Sequence, residues 1–212
     1  MILTAHGGAE GTGRNSMRYF NEIFQHKINA IEVDVRKSGR LLYISHMRTF
    51  FPKKAIPLTY VFEYVKEHNL KVNCDLKNRR IIGEVIALAK SMQVLTNLIF
   101  TGAIYPKDLP NITAGDVYVN NCFYFPLAPN IDNITKIKKI LDDTNNKHII
   151  GLNIQYRYAT DEFIKKAKEL NLPLSVYTLD SDSELRRIIP YDVANITTNT
   201  VISALNIMEE LK

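Results

Sequence analysis

The feature that most constrains the fold is a regular alternation of short β-branched runs with helical patterns along all 212 residues. The runs are almost continuously apolar, which is typical of parallel strands covered on both faces. The segments between most of them carry apolar residues at helical spacing. The predicted strands cover residues 2–5, 30–35, 71–76, 97–101, 116–120, 148–154, 173–179 and 193–197. The predicted helices cover residues 16–25, 57–68, 80–92, 132–143, 160–170 and 201–211.

Two local signals refine this pattern. Ser181 and Glu184 have the spacing of a capping box, which predicts one more helix. The connection between residues 97–101 and 116–120 is the weakest helix, because Pro106 and Pro110 interrupt it.

Strands that alternate with helices predict an α/β fold with a parallel sheet. Eight such units in a chain of this length predict a compact (β/α)₈ TIM barrel, in one domain over residues 1–212. An open doubly wound sheet is the alternative. It would call for a glycine-rich dinucleotide turn, and the chain has none with the right spacing and context. In such barrels, active sites lie at the mouth, the end where the carboxyl ends of the strands meet.

Composition narrows the class of protein. Hydrophobic residues make up 46% of the chain and charged residues 23%, as in globular proteins. No apolar run approaches the roughly 20 residues that would cross a bilayer. The stretch from Gly7 to Arg14 is too polar for the apolar part of a signal peptide. The spacing of Cys74 and Cys122 matches neither a metal-binding motif nor a redox motif such as C-x-x-C. We expect a cytoplasmic protein with reduced thiols.

The formal net charge of +5 weakly favours anionic ligands. The basic residues are scattered along the chain rather than grouped into a track for phosphates. We therefore expect a small anionic partner and no nucleic acid.

Three carboxylates are expected to meet at the mouth. Glu32 and Asp34 point to one face of their strand because side chains alternate along it. Asp75 and Lys77 share a face of the next parallel strand. Burying such carboxylates without compensation is costly, and a divalent cation would resolve the conflict. The alternative is an ion pair of Lys77 with Asp75 or Glu32, which would neutralise only one of the three charges.

Two histidines are predicted at the same mouth. His6 ends the first strand and opens the glycine-rich loop 7–13. His46 ends a short extended run over residues 41–45, which follows a turn at residues 37–40. Imidazoles that flank a metal-bound phosphodiester can serve as general base and general acid.

These residues resemble the amino-terminal signature of the glycerophosphodiester phosphodiesterases. The elements of that signature are found at His6-Gly7-Gly8, Asn15-Ser16, residues 31–35 (Ile-Glu-Val-Asp-Val), Gly39 and His46. Further elements are found at residues 56–58, 73–77, Tyr177-Thr178 and 192–198. The resemblance therefore runs through nearly the whole chain, and its first 80 residues carry most of the specificity.

The resemblance implies a (β/α)₈ barrel that hydrolyses glycerophosphodiesters, such as glycerophosphocholine or glycerophosphoethanolamine. The partner would be a small-molecule or lipid-derived phosphodiester. The products would be glycerol 3-phosphate and an alcohol, with one Ca²⁺ or Mg²⁺ as cofactor. In the implied mechanism a neighbouring substrate hydroxyl attacks phosphorus, and water opens the cyclic phosphate. By position, the metal ligands would be Glu32, Asp34 and Asp75, the acid–base pair His6 and His46, and the substrate contacts Lys77 and Tyr177.

The chain departs from the family pattern at several points. Gly7 replaces an arginine that would hold phosphate, and Arg14 replaces an acidic residue. We hypothesise that Arg14 reaches back to the phosphate. Residues 47–55 are short where the family usually has a longer insertion after the second strand, which leaves a more open site. Phe50 and Phe51 are candidates to form a wall of the substrate site in place of that insertion.

Residues 121–126 are a second aromatic loop that could rim the mouth, although such runs more often serve as packing. Three other functions stay open. One is a related lyase that stops at the cyclic phosphate, and another is a phosphate-binding barrel with weakened catalysis. The third is a Schiff-base aldolase that uses Lys77.

Overall fold

The computed structural model of the chain describes residues 1–120, 124 and 127–212. Nine strands of this part form one sheet. They are β1 (Ile2–Ala5), β2 (Ala30–Ser38), β3 (Leu41–Ile44), β4 (Lys71–Leu76), β5 (Leu98–Gly102), β6 (Asp116–Asn120), β7 (Ile149–Gln155), β8 (Leu174–Tyr177) and β9 (Asn195–Thr198).

Eight of these strands close into a parallel barrel. The order is β1-β9-β8-β7-β6-β5-β4-β2, and the barrel closes because β1 also pairs with β2. Strand β3 is not part of the closed barrel. It pairs antiparallel with the carboxyl-terminal part of β2, with Val35 opposite Ile44. The predicted (β/α)₈ barrel is confirmed. The alternative of an open sheet is wrong, because the strands leave no gap between β1 and β2.

Seven helices pack around the described part of the barrel. They are α1 (Met17–Ile23), α2 (Leu58–Glu67), α3 (Ile82–Met92), α4 (Ile134–Asp142), α5 (Asp161–Glu169), α6 (Asp182–Ile188) and α7 (Val201–Glu210). Helix α6 begins as the capping pattern predicts, because the Ser181 hydroxyl accepts a hydrogen bond from the Glu184 amide. No described helix is both long and apolar enough to cross a bilayer.

The differences from the sequence prediction lie at element ends. The last strand begins at Asn195 rather than at residue 193, and β2 continues to Ser38 to form the hairpin with β3. The crossover between β5 and β6 contains a 3₁₀ helix, Pro106–Asn111. A proline lacks the amide that an α-helix requires in its interior, which accounts for this shorter element.

The core formed by the described residues has two compartments. The larger one lies between the sheet and the helices and contains large fully buried rings such as Phe20, Phe62, Phe100 and Phe163. A separate small cluster of Ala30, Ile99 and Tyr118 lies on the other side of the strands. The alternation of side chains places this second cluster inside the barrel.

Above that apolar cluster, the barrel interior is polar. Thr4 donates to Asn195 (2.6 Å), Asn195 donates to Ser175 (2.9 Å), and Ser175 donates to Asn153 (2.8 Å). Asn153 then donates to Asn120 at 3.3 Å. These side chains are all buried, and each has a hydrogen-bond partner in another side chain of the layer. The layer supports the mouth, where the candidate site lies.

Candidate active site at the barrel mouth

A cavity of about 430 Å³ opens at the mouth. Its walls include five of the residues expected from the sequence to act on the substrate or hold an ion: His6, Glu32, Asp75, Lys77 and Tyr177. The strands themselves place these side chains. His6, Asp75, Lys77 and Tyr177 lie at or next to the carboxyl ends of β1, β4 and β8, and Glu32 lies on β2 one residue beyond its pairing with the end of β1.

The three acidic residues meet as the strand pattern predicts. Asp34 of β2 is in register with Asp75 of β4, and Glu32 lies two residues before Asp34 on the same face. One carboxylate oxygen from each of the three lies within 4.8 Å of the others. Glu32 and Asp34 are buried and Asp75 is half-buried. Gly102 of β5 leaves the space for Asp75, because a Cβ at that position would collide with Oδ1 of the aspartate.

Lys77 makes more contacts than the expected single ion pair. Its Nζ lies 2.8 Å from Oδ1 of Asp34 and 2.7 Å from Oδ2 of Asp75. Burial alone would lower the pKa of this ammonium, but the charges of Asp75 and Asp34 outweigh burial and raise it. Lys77 therefore stays charged, and it compensates one of the three negative charges at the site.

Among the described residues, no lysine or arginine lies within ion-pair distance of Glu32, in contrast to Asp34 and Asp75. The amide of Gly7 donates a hydrogen bond of 2.7 Å to its Oε2, while Oε1 is buried without a hydrogen-bond partner among the described residues. Burial, and then the charges of Asp34 and Asp75, raise the pKa of this group well above its usual value. The backbone of Gly7 comes close to this residue, since a Cβ at Gly7 would lie 3.0 Å from both Oε2 and the main-chain oxygen of Glu32, and a larger residue would need these atoms to shift slightly.

The site fits a divalent cation. Three carboxylates offer the hard oxygen ligands that Ca²⁺ and Mg²⁺ take, and Lys77 neutralises only part of their charge. The unpartnered Oε1 of Glu32 is a buried acceptor of the kind that a cation would satisfy. The acidic cluster can therefore bind an ion.

His6 faces this cluster. Its Nε2 lies 3.9 Å from Oε2 of Glu32, and its Nδ1 lies 3.0 Å from Oδ1 of Asn199. The Asn199 amide nitrogen donates to Asp180 at 2.9 Å, so its oxygen is free to accept from the histidine. The proton of neutral His6 is thus on Nδ1, and Nε2 carries the lone pair. Burial lowers the pKa of His6 and outweighs the charge of Asp34, which would raise it, while the nearby charge of Arg14 lowers it further.

His46 faces the cluster from the hairpin. Its Nδ1 lies 3.3 Å from both carboxylate oxygens of Asp34. Arg36 fixes the backbone of this turn, because its Nη2 donates to the main-chain oxygen of His46 at 2.7 Å and its Nε donates to that of Ser45 at 3.1 Å. The two histidines therefore approach the three carboxylates from two different strands.

The remaining predicted site residues lie in different surroundings. The Tyr177 hydroxyl accepts a hydrogen bond of 3.2 Å from Asn120 and borders the cavity. Arg14 is exposed and does not border the cavity, although its charge reaches His6. Of the aromatic loop 121–126, residues 121–123, 125 and 126 lie outside the described residues, and Tyr124 is buried. Phe50 and Phe51 are exposed and do not border the cavity.

Sequence reasoning missed several residues of the site. Arg36 follows Asp34 by two residues, so strand alternation alone was enough to place it on the same face. Arg79 and Tyr105 border the cavity from the loops after β4 and β5, and Nε of Arg79 donates to the Tyr105 hydroxyl at 3.1 Å. Asn199 had no local signal, because its partner His6 is distant in the chain.

Comparison with known proteins supports the fold. No protein-family model matches the chain, and no curated protein matches it in sequence. A glycerophosphodiester phosphodiesterase from Parabacteroides distasonis superposes with a TM-score of 0.79 at 17% identity, over 99% of this chain and 97% of that one. One from Agrobacterium tumefaciens superposes with a TM-score of 0.74 at 16% identity, over 99% of both chains.

A third solved structure contains a bound product. It is a phosphodiesterase from Oleispira antarctica in complex with sn-glycerol-3-phosphate, with a TM-score of 0.77 at 15% identity. The superposition covers 99% of this chain and 97% of that one. The chain thus has the barrel fold of the glycerophosphodiester phosphodiesterases, the family that its strand-end residues resemble.

Proposed function

We propose that this protein is a metal-dependent glycerophosphodiester phosphodiesterase. The observation that carries the proposal is the convergence of Glu32, Asp34 and Asp75 with His6 and His46 at one barrel mouth. The fold shared with enzymes of this type, one of them solved with glycerol 3-phosphate, supports the same reaction class. The products here would be glycerol 3-phosphate and an alcohol.

The three carboxylates would hold one Ca²⁺ or Mg²⁺. When bound, such a cation supplies Lewis-acid polarisation of a phosphate oxygen. Lys77 would offset the negative charge of the cluster and present its ammonium to the phosphate. Tyr177 would contact the substrate from the opposite wall, and Arg14 would add positive potential outside the cavity.

The histidines have different proposed roles. His6 has its lone pair on Nε2 and a lowered pKa, so it suits the general base that takes the proton from the attacking hydroxyl. His46 directs Nδ1 to Asp34, which leaves its Nε2 to carry a proton to the departing alcohol. An intramolecular hydroxyl needs positioning more than covalent help from the protein. The cyclic phosphate would then be opened by water, with the two roles reversed.

The other candidate functions have weaker support. A Schiff-base aldolase needs a neutral Lys77, whereas Asp75 and Asp34 raise the pKa of that lysine. A lyase would use the same residues and release the cyclic phosphate. A barrel that only binds phosphate would keep the cluster without turnover.

The test is a screen of glycerophosphodiesters, including glycerophosphocholine and glycerophosphoethanolamine, with Ca²⁺, with Mg²⁺ and with a chelator. Phosphorus NMR identifies the product. Cation-dependent formation of glycerol 3-phosphate supports the proposal. A persistent cyclic phosphate assigns the lyase, and binding without cleavage assigns the inactive barrel.

A further inference from the structure

A short loop beside the active site exposes an unusual amount of apolar surface. We call residues 47–54, which follow His46 directly, the mouth loop. Met47 is 71% exposed, Phe50 96% and Phe51 66%. Large apolar side chains that lie together on a surface indicate an interaction site, whereas single ones are common. These three lie within five residues of one another.

Hydrogen bonds hold the mouth loop in this shape. The amide of Ile44 donates to the Ile56 carbonyl at 2.9 Å, which closes the base of the loop. Within it, the amide of Phe51 donates to the Thr49 hydroxyl at 3.1 Å, and the amide of Lys54 donates to the Phe51 carbonyl at 2.9 Å. The rings therefore project outward from a structured turn.

The charges of this region have one sign. Residues 35–62 contain no Asp or Glu. Arg48, Lys53 and Lys54 are exposed on the mouth loop, and Nζ of Lys54 lies 5.2 Å from the centre of the Phe51 ring. Exposed aromatic rings flanked by basic residues match the chemistry of an anionic lipid surface, where rings enter the interface and cations meet the head groups.

We propose that the mouth loop docks the protein on anionic phospholipid membranes. Phe50 and Phe51 would enter the lipid–water interface, with Arg48, Lys53 and Lys54 above the head groups. Because His46 joins the loop to the acidic cluster, docking places the active site next to the membrane.

The experiment is co-sedimentation of the full chain with phosphatidylcholine vesicles, with and without phosphatidylglycerol, in the presence of a chelator. We expect binding to the anionic vesicles and little binding to phosphatidylcholine alone. The double variant Phe50→Ser/Phe51→Ser and the triple variant Arg48→Gln/Lys53→Gln/Lys54→Gln should each lower the partition coefficient by about tenfold or more. Phe24→Ser is the matched control, because Phe24 is 48% exposed at the end of α1 that faces away from the mouth.

The proposal is overturned by no binding to anionic vesicles, by equal binding to neutral ones, or by an equal loss of binding in Phe24→Ser. Unchanged binding of the Phe50/Phe51 variant also overturns it, since the contact would then be a general attraction between charges. The assay contains no glycerophosphodiester. The vesicle lipids are themselves phosphodiesters, but the chelator removes the cation that the proposed cleavage needs, so binding is measured without turnover. Failure of vesicle binding would overturn the docking proposal alone, and failure of diester cleavage would overturn the proposed function alone.

Discussion

Nη2 of Arg36 donates a hydrogen bond of 2.7 Å to the main-chain oxygen of His46. Arg36 lies on β2 two residues after Asp34, so a single strand carries both a proposed metal ligand and the anchor of a proposed acid–base group. The hairpin between β2 and β3 is thus part of the candidate active site, because it sets the position of the imidazole relative to the carboxylates.

We predict that Arg36→Lys lowers kcat for the diester by about tenfold or more, because small misplacements of a catalytic group are costly. Lysine keeps the charge but cannot form the same forked contact with two carbonyls. Cation affinity, measured by calorimetry, should stay within about twofold of the wild type because no ligand changes. A large rise in KM with kcat unchanged would instead make Arg36 a substrate contact.

The two histidines should matter far more than a surface histidine. His6→Ala and His46→Ala should each lower turnover on the order of 10²–10⁴-fold, the contribution usual for general acid–base groups. His26→Ala serves as the control, since His26 lies between the end of α1 and the start of β2, at the end of the barrel away from the mouth. Steady-state rates close to those of the control would remove both residues from the mechanism.

Arg14 replaces an acidic residue of the family pattern and adds positive charge near His6. Arg14→Ala should lower kcat/KM for anionic diesters by roughly threefold to tenfold, since an exposed charge acts mainly through long-range attraction. The loss should shrink as salt is added. Arg18→Ala, which removes an exposed arginine paired with Glu22, is the matched control. Identical kinetics of the two variants would leave Arg14 without a role.

The polar layer inside the barrel gives a prediction about stability. Asn195→Ala leaves Thr4 and Ser175 without their buried partner and should lower the free energy of unfolding by about 1–3 kcal/mol. Asn206→Ala, on the exposed face of α7, should change it by less than about 0.5 kcal/mol. Urea unfolding measures both, and equal values would mean that the layer contributes nothing specific.

Much of the fold was predictable because it follows local patterns. Continuous apolar runs and helical spacing place β2 and β4 next to each other, and alternation along them brings Glu32, Asp34 and Asp75 together. The capping-box spacing of Ser181 and Glu184 is also a local pattern, and it predicted where α6 begins. Short-range periodicity therefore accounts for the core of the site.

Other features depend on contacts between distant segments and had no local signal. The bond of His6 to Asn199 joins opposite ends of the chain, and it sets which nitrogen carries the proton. Lys77 contacts two aspartates rather than one because β2 and β4 are in register at Asp34 and Asp75. The proline-rich crossover forms a 3₁₀ helix, which the sequence suggested only as a weakened α-helix.

The central claim is that three carboxylates hold one divalent cation, and calorimetric titration of the metal-stripped protein with Ca²⁺ and with Mg²⁺ tests it most directly. We predict one ion per chain for at least one of these metals. Glu32→Gln should lower the affinity by about tenfold or more because it removes a charged ligand, while Glu22→Gln should not. Absence of binding to the wild type, or equal affinity of Glu32→Gln, would contradict the account.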